Sequence, residues 1–117
     1  MTAPNIVNVA TISGKTNPML VGTTATAIVS NPAGSGKVIE VKSILVGNTD
    51  ASANYNVTVD FLRSSIAYRF VPNTAIGAGA TLDVIANVVT LEEGDAIRLT
   101  ANAANKLEAI CSFKEIS

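Results

Sequence analysis

An all-β fold, two antiparallel sheets packed as a jelly-roll-like β-sandwich, is what this sequence predicts, on three observations. Runs rich in Val, Ile, Thr and Ala alternate apolar with polar residues at the period of two that a half-buried strand requires. Turn-forming clusters divide those runs at short, regular intervals: Asn31-Pro32-Ala33-Gly34-Ser35-Gly36, Gly47-Asn48-Thr49-Asp50-Ala51-Ser52, Pro72-Asn73, Gly77-Ala78-Gly79, Glu92-Glu93-Gly94-Asp95 and Ala101-Asn102-Ala103-Ala104-Asn105. No segment carries a convincing helical period, although residues 91–93 and 102–106 have room for a single turn each. Eight or nine short strands in 117 residues can close either as a jelly roll or as an immunoglobulin-like sandwich. The immunoglobulin hallmark, a Cys pair around a buried Trp, is absent from a chain with one Cys and no Trp, so the jelly roll is preferred.

Residues 1–12 read as an N-terminal arm or first strand, and residues 13–117 as a single sandwich domain. In the arm, Ile6, Val7, Val9 and Ile12 are apolar enough to pair as a strand but stand outside the regular turn spacing that follows. The favoured reading is addition to the edge of a neighbouring copy, which makes these four the candidate partner-binding residues. Residues 1–5 and the Pro-bearing stretch 15–20 are expected as extended arm. Residues 23–30 form a Thr/Ala/Val strand. Over residues 37–46, Ile39, Val41 and Leu45 share one face, while Val38, Ile44 and Val46 join Glu40 and Lys42 on the other. That mixed second face implies partial cover by another sheet or subunit.

Residues 54–63 form the cleanest strand, with Tyr55, Val57, Val59 and Phe61 inward and Asn56, Thr58 and Asp60 outward. Residues 66–71 put Ile66, Tyr68 and Phe70 on one face. Residues 81–86 alternate Leu82 and Val84 against Asp83 and Ile85, and residues 96–101 alternate Ile97 and Leu99 against Arg98 and Thr100. The last strand, residues 107–116, lines up Leu107, Ala109, Cys111 and Phe113 against Glu108, Ile110, Ser112, Lys114 and Ile116.

Composition narrows the function classes. A chain of 117 residues suits one domain with one core. Charged residues are 15% of it, against about 25% in an average soluble domain, while the apolar set reaches 48%; a surface short of charge favours buried interfaces. Eight basic and nine acidic residues are scattered without a basic run, so nucleic acid is not an expected partner. No window approaches the ~18 apolar residues of a membrane span, and Met1-Thr2-Ala3-Pro4-Asn5 lacks the charge and apolar stretch of a signal peptide. Synthesis in a cytoplasm, with release by lysis if at all, is the expectation. The lone Cys111 has no partner for an intramolecular disulfide, leaving packing and oligomerisation to supply stability.

The chemistry of an enzyme is missing: the chain has no His, and no pair of residues stands out as general acid and base. Gly34-Ser35-Gly36-Lys37 lacks the earlier Gly, the Ser or Thr after Lys and the following helix of a phosphate loop, so it reads as a hairpin turn. Glu92, Glu93 and Asp95 around Gly94 invite a calcium site, but the spacing is wrong for a calcium loop and a tight turn is the stronger reading. Cys111, mid-strand and without a base, reads as core. Asn56-Val57-Thr58 matches a glycosylation acceptor inside the strongest strand, which discounts it. Tyr55 and Tyr68 could serve as a sugar platform, yet in a chain with three Phe and no Trp, core or subunit packing takes precedence. No cofactor and no metal are expected.

Residues 91–101 (Leu-Glu-Glu-Gly-Asp-Ala-Ile-Arg-Leu-Thr-Ala) and 107–116 (Leu-Glu-Ala-Ile-Cys-Ser-Phe-Lys-Glu-Ile) resemble small virion proteins of tailed bacteriophages, notably those of marine bacteria and cyanobacteria. Residues 21–26, 33–44 and 55–61 resemble the same group in order and spacing, so the likeness covers roughly residues 13 to 116 through strand and turn motifs. The resemblance implies a structural protein of the phage particle, made in the host bacterial cytoplasm and assembling as a homo-oligomer, commonly a trimer. The leading expectation is a capsid decoration (cement) protein bound to the major capsid protein; the alternatives are a neck, collar or tail-fibre-anchoring part and a carbohydrate- or receptor-binding module of a tail fibre. Low charge suits such a role, because apolar attachment tolerates high ionic strength, at which surface ion pairs are screened within a few Å.

Overall fold

Nine antiparallel strands make up the regular structure of the computed structural model, which describes residues 11–117. They are β1 (Ile12–Val21), β2 (Thr26–Ser30), β3 (Val38–Asn48), β4 (Tyr55–Arg63), β5 (Ile66–Ile76), β6 (Thr81–Asp83), β7 (Val89–Leu91), β8 (Ala96–Ala101) and β9 (Leu107–Ile116). One sheet runs β1-β9-β3-β6, with β7 also on β3; the other runs β2-β8-β4-β5. If β6 and β7 are taken as one interrupted strand, this is the interleaved order of an eight-strand jelly roll, in which the chain passes repeatedly between sheets. The all-β, two-sheet expectation therefore holds.

β9 shows why. Its row Leu107, Ala109, Cys111 and Phe113 is buried, whereas Glu108 and Ile110 between them are exposed, as the period of two requires. Strands β4 and β8 face them from the other sheet with Val57, Val59, Ile97 and Leu99, all fully buried in the same core cluster. Tyr55 and Phe61 of β4 are only partly buried at the margins of that core.

Four expectations need correction. Residues 15–20 are not an arm: they lie within β1, in register with β9 over its whole length. Thr11 and Ser117 exchange both main-chain hydrogen bonds; counting on from that pair, Pro18 is in a non-hydrogen-bonded pair with Ile110 and is tolerated because its missing donor points away from β9, toward the outer edge of the sheet as the described residues form it. In β3 a bulge between Val41 and Ser43 makes Lys42 an extra residue. The phase therefore flips, so that Ile39 and Val41 continue inward as Ile44 and Val46, and Leu45 is exposed instead of sharing their face. The turn at residues 31–36 is no hairpin, because β2 and β3 belong to different sheets and the chain crosses between them. Finally, the strand expected over residues 81–86 stops at Asp83: the Val84 N–H donates to the Ile44 carbonyl at 2.9 Å, and Val84 and Ile85 are both buried, which ends the alternation. Strand β7 was not anticipated. Ile6, Val7 and Val9 lie outside the described residues, while Ile12 pairs its backbone with Ile116 of its own sheet and leaves its side chain exposed.

Core truncation supplies the test of this arrangement. Leu99→Ala should cost about 2–5 kcal/mol, from lost burial plus the cavity left behind, whereas Leu20→Ala on the solvent face should stay within about 0.5 kcal/mol. Urea titrations monitored by circular dichroism measure both; near-equal costs would mean the strands are inside out.

Candidate interaction surfaces

Buried polar side chains hold the connecting loops and leave the strand faces to define the surface. Asn31 donates its side-chain amide to the Lys37 and Leu91 carbonyls at 2.8 and 3.1 Å, and accepts from the Ser35 hydroxyl at 2.6 Å. The 92–95 turn packs against this loop. Gly94, at a φ of 89°, takes the left-handed conformation that Gly reaches without strain. The three carboxylates there are already engaged: Asp95 accepts from the Glu92 N–H and from Arg63, Glu92 pairs with Arg63, and Glu93 accepts from the Gly34 N–H. The region is a turn, as expected. Among the described residues no group of three or more His, Cys, Asp or Glu is placed to hold a metal ion.

Arg63 links this end of the sandwich to the β4–β5 hairpin. It makes a two-pronged pair with the buried Asp95, Nε to Oδ1 at 2.9 Å and Nη2 to Oδ2 at 2.6 Å, and its guanidinium lies 5.2 Å from the centre of the Phe61 ring. Burial pushes the Asp95 carboxyl up, but Arg63 and the Glu92 N–H outweigh it and hold the group below the ordinary carboxylate range. At the opposite end, Asn48 donates to the Ala53 and Ile76 carbonyls at 2.9 Å each. Asp50 sits beside it. The Ser52 N–H, the Lys106 ammonium, the Ser52 hydroxyl and the Ala53 N–H together hold its carboxyl far below the ordinary value. Glu115 is lowered by Lys15 and, against burial, by Lys37. Cys111 is core: burial pushes its thiol up to about 11, so it stays protonated at neutral pH.

Among the described residues, two apolar surfaces stand out beyond the core. The first crosses the outer face of the β1-β9-β3 sheet, where Pro18, Ile110 and Leu45 stand directly opposite one another on adjacent strands. Leu20 lies on the same face one row along. Ile110 and Leu45 are 48% and 41% exposed, and Leu20 is 52% exposed. A shallow depression of about 400 Å³ runs beside them between Pro18, Leu20 and Ile110, and a second of about 350 Å³ lies on the Leu45 side. The second surface is the end of the β4–β5 hairpin. Residues 63–70 are exposed on both faces, so this part of the ribbon projects past the sandwich, and it carries Ile66 and Tyr68 at 55% and 56% exposure. Tyr68 thus belongs to the surface. Phe70 does not continue the Ile66–Tyr68 row as expected, because a register shift leaves it without an opposite residue on β4.

Sequence reading missed the first surface, although two signals mark it. Lys42-Ser43 places two polar residues between Val41 and Ile44, where strict alternation allows one, and Ile110 interrupts the polar row Glu108, Ser112, Lys114.

Among known proteins, no family model and no curated protein matches the chain. Among solved structures it is similar in fold to a protein of Bacillus endospore appendages, which form a family of disulfide-linked pili, with a TM-score of 0.54 and 12% identity over 92% of this chain and 87% of that one. A pentameric capsid protein from metagenomic phage sequences aligns with a TM-score of 0.45 and 14% identity over 86% of this chain and 60% of that one. A second structure of such a capsid protein gives 0.44, 14%, 86% and 64%. The chain spans less than two thirds of the capsid proteins' length.

The lowered carboxylates fix the sign of the acid response. Asp50, Asp95 and Glu115 bind protons less readily folded than unfolded; their contribution is complete above the unfolded values of about 4 and is lost as pH falls through the folded ones. Urea midpoints should therefore hold steady from neutrality to mild acid and drop below about pH 4. Asp95→Asn should flatten part of that drop.

Proposed function

We propose that this chain is a structural subunit of a tailed-phage particle, a decoration protein that binds the head shell as a small homo-oligomer, with a trimer as the working assembly. The observation that carries the reading is the apolar row Pro18–Ile110–Leu45 with Leu20, exposed on a sheet face that none of the described residues covers. An exposed apolar surface of this kind, on a domain with little charge, suits adhesion between proteins. The carboxylates that could have served chemistry are committed to Arg63, Lys106 and loop N–H groups, and no His is present to act as a base. This favours a non-enzymatic role.

The resemblance of residues 13–116 to phage virion proteins supplies the particle, and the shared fold with a pilus-forming protein is in keeping with a subunit that assembles. Those pili are disulfide-linked; here the one Cys is buried, so its thiol is not presented to a second copy. The mechanism is mass action. A protein that binds only the assembled shell stabilises each site by RT ln(1 + [L]/Kd), about 4 kcal/mol at a thousandfold excess over Kd. In the same reading Ile6, Val7 and Val9 add to the edge of a neighbour from before Thr11, since Ile12 is engaged in its own sheet.

Quantitative mass spectrometry of purified particles tests the proposal. A decoration protein should match the major capsid protein in copy number within a small integer ratio. A count equal to one small ring per particle would place the chain in the neck or tail instead, and reproducible, saturable binding on a glycan array would favour a receptor-binding module.

A further inference from the structure

The two exposed apolar surfaces differ in shape, and they lie too far apart to meet within one molecule. Ile66 and Tyr68 sit on a ribbon projecting beyond the end where Arg63 meets Asp95. Leu20, Ile110 and Leu45 lie on the outer face of the opposite sheet, close to the rows that end at Val21, Leu107 and Asn48, the other end of the sandwich. The molecule is 50 Å long, and the hairpin base is pinned by the two-pronged Arg63–Asp95 pair. A convex apolar tip and a shallow apolar depression that cannot be joined within one copy can be joined between two.

Charge points the same way. From Phe61 to Leu82 the chain carries two Arg and no carboxylate. Arg69 extends from the hairpin with an exposed side chain, its one prong on Asp60 at 3.2 Å. The sheet face offers the opposite sign beside the apolar row: Asp83 is opposite Leu45, and Glu108 stands between Leu20 and Gly47. The lysines of that face lie further along, Lys114 four residues from Ile110 and Lys42 at the bulge.

We propose that the β4–β5 hairpin tip of one copy, through Ile66, Tyr68 and Arg69, docks on the Pro18–Leu20–Leu45–Ile110 face of a second copy, flanked by Asp83 and Glu108. The contact joins two different surfaces, so each copy keeps one unused hairpin and one unused face; repetition closes a ring or continues as a chain, depending on the rotation per step. The inference rests on the reading of the chain as a self-associating subunit, and it names the contact that reading leaves unspecified.

Mixing two defective chains tests it. Tyr68→Asp spoils the tip and Ile110→Asp spoils the face; both side chains are exposed, and circular dichroism with thermal melts should confirm that the fold survives. In sedimentation velocity the wild-type protein should form oligomers, and each variant alone should be monomeric. A one-to-one mixture should yield a dimer and nothing larger, because one good tip meets one good face. Ile66→Asp with Leu20→Asp repeats the experiment should either first variant fail to fold. Glu108→Arg should weaken assembly, and Arg69→Glu added to the same chain should restore it.

Variants that assemble like the wild type would overturn this contact while leaving self-association intact. Monomeric variants whose mixture stays monomeric would overturn it too, because the mixture still holds one intact tip and one intact face that should pair; a variant that dimerises on its own would show instead that like surfaces pair. A wild-type protein that is monomeric at the highest attainable concentration would overturn the contact and the self-associating reading together.

Discussion

The phase of β9 is the constraint on which the rest of this structure depends. Among the described residues it is the one strand paired along its full length on both sides, to β1 and to β3, so the direction in which Leu107, Ala109, Cys111 and Phe113 point decides which residues of three strands face the core. Slipping β9 by one residue against both neighbours would turn Glu108 and Lys114 inward and expose Cys111 and Phe113, an exchange no small core survives. The bulge at Lys42 obeys the same constraint. Without it the second half of β3 would turn Leu45 inward and expel Ile44 and Val46, both fully buried in the core.

With the strands phased by apolar packing, the connections are held by a small set of buried polar groups. Asn31, Asn48 and Asp95 each satisfy loop main-chain groups that the ladders leave unpaired, and a buried polar group so satisfied is neutral or favourable where an unsatisfied one is costly. Each gathers loops distant in sequence. Asn31 reaches across 60 residues to Leu91, and Asp95 across 32 to Arg63. The polar residues of the ends are thus committed to architecture, and what the molecule presents to others is its sheet faces and its hairpin.

Those surfaces follow from the topology. A jelly roll packs each sheet on one side, so an apolar residue in an outward phase gains no burial from its own domain. Ile110 and Leu45 are in that phase on neighbouring strands, and Pro18 joins them because its ring occupies the outward position of an edge strand. The hairpin end is exposed for another reason. β4 and β5 run on beyond the packed core, leaving Ile66 and Tyr68 on the core side of the ribbon with none of the described residues covering them.

Much of the fold was legible in the residues themselves. The limits of β8 and β9 and the inward row of β9 follow from strict alternation, a local property of the backbone that one strand displays unaided. The same holds for the tight turn at Gly94 and the core position of Cys111. Three things were decided only by the tertiary structure. Pro18 suggests an arm until β9 is seen to take the other edge of its strand; Leu45 suggests core until the bulge resets the phase; Tyr68 matches any inward residue until the opposite sheet proves too short to cover it. In each case the deciding neighbour is distant in the chain, Ile110 being 92 residues from Pro18 and 65 from Leu45 in number. Alternation determines which residues share a face, but whether a face is covered depends on what packs against it, and that is set by pairing between segments no local pattern connects.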